Sequence, residues 1–136
     1  KSNFLPVYTN DMINAHKEIV IVSPFVTKRR TLQMLDSLQV AVRNKVTVTI
    51  VTRPVEEFEA KNRNVLTEAL QLLAGIGIHL VYKSKIHQKF AIIDQKTVWY
   101  GSINLLSFGS AEESIMRLDS ANIAYELIKS IEAQQL

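Results

Sequence analysis

The chain contains no cysteine. Disulfide staples, thiolate nucleophiles and cysteine-ligated zinc are therefore excluded. This absence does not choose a compartment, because reducing and oxidising spaces both tolerate such a chain. Long apolar runs are missing as well. A bilayer-spanning helix needs about 20 apolar residues, whereas the longest run here is Ile19 to Val22, with Pro24 soon after it. No stable membrane insertion is expected, and the first residues do not read as a secretory signal. A cytoplasmic location is the resulting expectation. Charge of one sign is scarce too: 16 Lys and Arg stand against 13 Asp and Glu, a net charge of +3. That balance favours a polyanionic partner slightly and establishes nothing alone. With 47% hydrophobic and 21% charged residues, the composition is that of a folded domain and not of a disordered chain. Low-complexity segments, linkers and a clear internal repeat are also lacking.

What is present fits one domain of 136 residues, long enough to bury roughly two-thirds of its unfolded surface. The start at Lys1, not Met, is compatible with a single domain (1–136) excised from a longer chain. Helix and strand signals alternate. Tyr8–Lys17 reads as a helix capped by Thr9 or Asn10. Glu18–Val22 is a short β-branched run suited to a strand covered on both faces. Arg29–Arg43 carries Leu32, Leu35, Leu38 and Val42 at helical spacing. Val46–Thr52 alternates like a strand and ends at Arg53-Pro54. Glu56–Ala74 reads as a long helix bearing Phe58, Leu66, Leu70 and Leu73, closed by Gly75 and Gly77. Ile78–Tyr82 is a strand. Lys89–Ile93 and Val98–Gly101 form a hairpin around Asp94-Gln95-Lys96-Thr97. Ser114–Leu118 is a further strand and Asn122–Ala133 a closing helix. The pattern predicts an α/β fold: a mixed central β-sheet with helices on both faces.

The stretch with chemistry in it is Ile86-His87-Gln88-Lys89-Phe90-Ala91-Ile92-Ile93-Asp94, followed by Gly101-Ser102-Ile103-Asn104. In an extended backbone His87 and Lys89, two apart, share a face. An imidazole can attack phosphorus while an ammonium holds the developing charge. Ser102 and Asn104 are likewise two apart, and both can donate to phosphate oxygens. Singly, each residue has a plain reading: a strand-edge histidine, a solvated lysine, a turn aspartate. Six residues in this order argue against coincidence.

This segment resembles the HxKxxxxD motif of the phospholipase D superfamily with its downstream Gly-Ser and Asn. His87, Lys89, Asp94, Gly101, Ser102 and Asn104 match. The resemblance implies a phospholipase D-like fold and a two-step displacement through a phosphohistidine. It requires no metal or other cofactor, because lysines supply the positive charge. It implies a carboxylate further along that orients the nucleophilic histidine. Glu112 and Glu113 lie in that region, and Glu113 is preferred because it leads into the next strand. Asp94 either orients a catalytic group or fixes the hairpin turn.

The family's mechanism uses two motifs and this chain has one, since His16 and His79 lack the following residues. A homodimer with a shared site is expected, as in the small bacterial nucleases of that family. Lys28, Arg29 and Arg30 follow the first strand and Arg53 the second. Ligands of parallel sheets gather beyond such strand ends, so these cations are candidates for binding a nucleic-acid backbone, against the plainer reading of a solvated helix start. Lys83 and Lys85 would extend that surface. Trp99, Phe90 and Tyr100 read as core. The expected activity is metal-independent cleavage of DNA, with RNA as a second substrate. The alternatives are a phospholipase or phosphatidyltransferase, and a non-catalytic nucleic-acid-binding module attached to helicase or restriction-type domains.

Overall fold

A computed structural model of the chain describes residues 4–101 and 115–133. Its elements are α1 (Leu5–Ile13), β1 (Glu18–Val22), α2 (Lys28–Arg43), β2 (Thr47–Thr52), α3 (Arg63–Gly75), β3 (His79–Tyr82), β4 (Phe90–Ile93), β5 (Thr97–Gly101), β6 (Ile115–Asp119) and α4 (Ala121–Ala133). The six strands form one sheet in the order β3-β2-β1-β4-β5-β6. β1, β2 and β3 run parallel. β4, β5 and β6 continue the sheet antiparallel. The sheet is mixed, as expected.

Alternation along the strands sorts side chains between two cores. Ile19, Ile21, Val48, Ile50, Ala91, Ile93 and Trp99 pack with residues of α1, α2 and α3. Val22, Val51, Phe90, Ile92 and Val98 turn the other way, towards Ala124 and Ile131 of α4. Among the described residues three helices therefore share one face and a single helix lies on the other. β1 is apolar at every position but Glu18 because both its faces are used. On the α4 side the cover is incomplete. A cleft of about 530 Å³ remains beside the helix, lined by Val20, Val22, Val51, Tyr125, Ile128 and Ile131 among others.

Several boundaries differ from expectation for identifiable reasons. α1 begins at Leu5, with Pro6 in its first turn, where a missing N–H costs nothing. Thr9 is thus inside the helix, and its hydroxyl donates to Leu5 O at 2.9 Å. In α2 the buried stripe is Thr31, Met34, Ser37, Leu38 and Ala41, while Leu32 is 52% exposed. Small and polar residues fill the tight interface that leucine spacing alone would assign elsewhere. The expected helix Glu56–Ala74 starts only at Arg63. Single 3-10 turns at Val55–Glu57 and Ala60–Asn62 precede it, with Phe58 extended between them. Arg63 holds that irregular stretch by donating to Phe58 O (3.0 Å) and Glu56 O (3.0 Å). Trp99 and Phe90 are buried as predicted, but Tyr100 is 43% exposed.

Candidate functional site

His87 and Lys89 lie just before β4, in the connection that leads into it. Ile86 and Phe90 are fully buried on the α4 side. Gln88, between them, donates from its amide to Ser130 Oγ of α4 at 2.8 Å. These three anchors pin one side of the segment. The intervening His87 and Lys89 are less buried than Ile86 and Phe90. His87 is exposed and Lys89 half-buried. The lysine ammonium reaches back to His87 O at 3.3 Å.

The loops leaving β1, β2 and β3 converge on this segment, at the carboxyl ends of the parallel strands. Arg53, the first residue after β2, ties them together. Its Nε donates to Ile86 O at 2.8 Å and its Nη2 stands 3.0 Å from His87 Nδ1. The guanidinium lies over the Phe25 ring, 5.0 Å from its centroid, and Phe25 in turn packs edge-on against Phe58. Glu57 closes the loop from below. It accepts from the Ser84 hydroxyl and, at 2.9 Å, from the Lys85 N–H. Those two hydrogen bonds, with help from Arg53 and Lys85, outweigh slight desolvation and hold the Glu57 carboxyl below the ordinary glutamate value. Lys85 takes a positive φ of 61° in the turn that Glu57 supports.

Asp94 sits at the other end of β4. Four strand residues intervene, and a rise of about 3.3 Å per residue puts it on the order of 20 Å from His87. Both Asp94 and Gln95 take positive φ in a tight hairpin turn (55° and 58°), the handedness that suits twisted strands. The Asp94 carboxylate accepts from the backbone N–H groups of His16 (2.9 Å), Lys17 (2.6 Å) and Glu18 (3.1 Å) at the entrance to β1. Partial burial raises its pKa, but the three amides together prevail and hold it below the usual aspartate value. Its oxygens are thus committed to the backbone.

The remaining candidates divide. Arg53 is brought to His87. Lys28 pairs with Glu68 at 3.1 Å. Arg30 lies 5.3 Å from the Phe4 ring centroid and donates to Gln33 Oε1 at 2.9 Å, so it serves the α1–α2 contact. Arg29 stands between them on the first turn of α2, which Thr27 caps by accepting from Arg30 N at 3.2 Å. Ser102, Asn104, Glu112 and Glu113 lie outside the described residues. Sequence reasoning missed Glu57 and the Phe25 shelf. Nothing in their local spacing signals them, because their partners come from other loops.

Comparison with known proteins agrees with this architecture. Residues 8–134 match the family described as "Cardiolipin synthase, PLD-like domain". No curated protein matches the chain significantly in sequence. Among solved structures, the phospholipase D family member Nuc from Salmonella typhimurium superposes with a TM-score of 0.74 at 20% identity, covering 95% of this chain and 84% of that one. NucT from Helicobacter pylori gives 0.69 at 18% identity, with 96% and 86% covered. TrmBL2, an archaeal chromatin protein described as showing a novel mode of DNA binding, gives 0.65 at 12% identity, covering 96% of this chain and 48% of its own. Among the described residues no helix is long and apolar enough to cross a membrane. The match runs nearly from end to end, and the sheet order and helix placement follow the same fold: the chain belongs to the family of phospholipase D-like domains.

Proposed function

We propose that this domain is half of a phosphodiesterase that cleaves nucleic acid through a phosphohistidine on His87, the site being completed by a second copy of the chain. The observation that carries the reading is the exposed His87 ring with the Arg53 guanidinium at its edge, and the Lys89 ammonium against the same residue's backbone carbonyl. One nucleophile and two cations meet where a phosphate can approach from solvent. Imidazole nitrogen attacks phosphorus, and the cations balance the charge that builds on the non-bridging oxygens. The leaving oxygen needs a proton, which the second copy's His87 supplies before activating water to release the phosphoryl group. Ser102 and Asn104 would add donors, and Glu113 would orient the imidazole. We assign Asp94 to anchoring the hairpin on β1, because its carboxylate is occupied by three amides.

The fold by itself does not select the substrate. Likeness to Nuc and NucT over most of all three chains favours nucleic acid, as does the net positive charge. The family's printed description, cardiolipin synthase, keeps phosphatidyl transfer as the second reading. The test is cleavage of DNA and RNA, beside phosphatidylglycerol turnover, in the presence of EDTA. Nucleic-acid cleavage that persists in EDTA and disappears in His87→Asn is expected. Acid quench after a brief incubation should show a phosphoryl adduct on the His87 peptide. Full cleavage by His87→Asn would overturn the proposal, and lipid turnover without nucleic-acid cleavage would transfer it to the second reading.

A further inference from the structure

The contact between Arg53 and His87 carries a consequence for protonation. A guanidinium has five N–H donors and no acceptor. Nη2 at 3.0 Å from Nδ1 is a hydrogen bond only if Nδ1 offers its lone pair. The ring is then neutral and its proton sits on Nε2. Neither nitrogen is a nucleophile in that state: Nδ1 is occupied by Arg53 and Nε2 bears the proton. The guanidinium is anchored independently of His87: Ile86 O holds Nε at 2.8 Å, Phe25 lies 5.0 Å from it, and Glu57 Oε1 stands 4.0 Å from Nε.

We infer that Arg53 is a positioning residue that keeps His87 in a non-nucleophilic tautomer in the free chain and must release Nδ1 before the ring can attack. This rests on His87 being the nucleophile. An arriving phosphodiester is the stronger acceptor for a guanidinium, because that hydrogen bond is charge-assisted. Once Arg53 turns to phosphate, Nε2 gives its proton to water and Nδ1 takes one from water. The ring stays neutral, and the lone pair moves to Nε2, the nitrogen that Arg53 does not touch. Reactivity is thereby tied to the presence of a phosphate, and the same residue that restrains the histidine binds the group it attacks.

The test needs no nucleic acid. The chain has three histidines, and His16 and His79 are exposed like His87, so they serve as internal references for reaction with diethyl pyrocarbonate mapped by mass spectrometry. In the free wild-type protein His87 should react roughly tenfold more slowly than either reference, the factor set when a hydrogen bond worth about 1.4 kcal/mol must open first. Arg53→Met should bring His87 to the rate of the references. Arg53→Lys should do the same, because a lysine keeps the charge but lacks the planar fork that Ile86 O and Phe25 hold. Ring 15N spectra of the wild type, assigned with His87→Asn, should show the proton on Nε2. A wild-type His87 as reactive as His16 and His79, or a ring protonated at Nδ1, would overturn the inference even if the Arg53 variants did not fold. Failure to cleave nucleic acid would leave these readouts untouched and count against the proposed function instead.

Discussion

At the residue scale, the motif's aspartate and its histidine do separate work. Asp94 locks the hairpin onto the first residues of β1 through three N–H donors. Hydrogen bonds to a charged acceptor are among the stronger ones, so Asp94→Asn should cost about 1–2 kcal/mol of stability near neutral pH after allowing for its partial exposure. The sign with pH follows from the lowered carboxyl. Its value in the unfolded chain is near the ordinary 3.8, and its folded value lies below that. The contribution is therefore complete above the unfolded value and is lost as pH falls through the folded one. Denaturant titrations of wild type and Asp94→Asn should differ near neutrality and converge in strong acid. At a temperature where both remain folded, turnover of the variant should stay close to wild type, since the carboxylate is a strand length away from His87. A collapse of kcat with stability intact would return Asp94 to the catalytic set. The spacing of His87, Lys89 and Asp94 was legible in the sequence because it is local. The partners of Asp94 lie 76–78 residues away in the chain, and Arg53 lies 34 from His87. No periodicity announces such pairs.

At the element scale, the loops at the carboxyl ends of the parallel strands build the site. The stretch from Glu56 to Asn62 reads in the sequence as the start of a helix because Phe58 falls in line with Leu66, Leu70 and Leu73. It stays irregular because two of its side chains are used elsewhere. Glu57 turns to Ser84 and Lys85, and Phe58 packs on Phe25. Tertiary contacts override propensity here, as they do where a site must be built. Glu57→Gln should therefore loosen the β3–β4 connection that carries His87. Hydrogen exchange over residues 83–89 should speed up, and kcat should fall several-fold with the global melting temperature little changed. In the wild type the tie belongs to the ionised carboxyl, whose folded value is depressed below 4.5. Loop protection should thus hold above 4.5 and fade as pH drops through the lower folded value. Exchange unchanged by Glu57→Gln would demote the residue to a surface charge. Arg30, in the basic run after β1, and Arg53, after β2, serve different ends. Arg30 is half-buried against α1, with burial lowering its pKa. Arg30→Ala should reduce stability without moving KM, whereas Arg53→Ala should raise KM and flatten its dependence on salt. A raised KM for Arg30→Ala at unchanged stability would restore it to the substrate groove.

At the scale of the whole molecule, the sheet is covered unequally. Three helices close one face, and α4 alone lies on the other among the described residues. Beside it the cleft floored by Val20, Val22 and Val51 stays open. Val81, Tyr100, Met116 and Tyr125 are exposed at 36%, 43%, 58% and 60%. By strand register Val81, Tyr100 and Met116 share the α4 side. The second copy that the proposed function requires has this uncovered apolar face to seat on. Light scattering should then report about twice the 15.4 kDa of one chain, and Ile128→Arg in the cleft should yield a folded, inactive monomer. Subunit mixing tests the sharing itself. If each chain acted alone, adding excess His87→Asn protein, after unfolding and refolding together, would leave the wild-type activity in place. If one site needs both histidines, the excess variant captures wild-type chains in mixed dimers that have a nucleophile or an acid but not both. Activity per wild-type chain should fall in proportion to the fraction of wild-type protein in the mixture, since that fraction is the chance that a wild-type chain meets another. Activity that is independent of the mixing ratio would rule out the shared site, whatever mass the scattering reports.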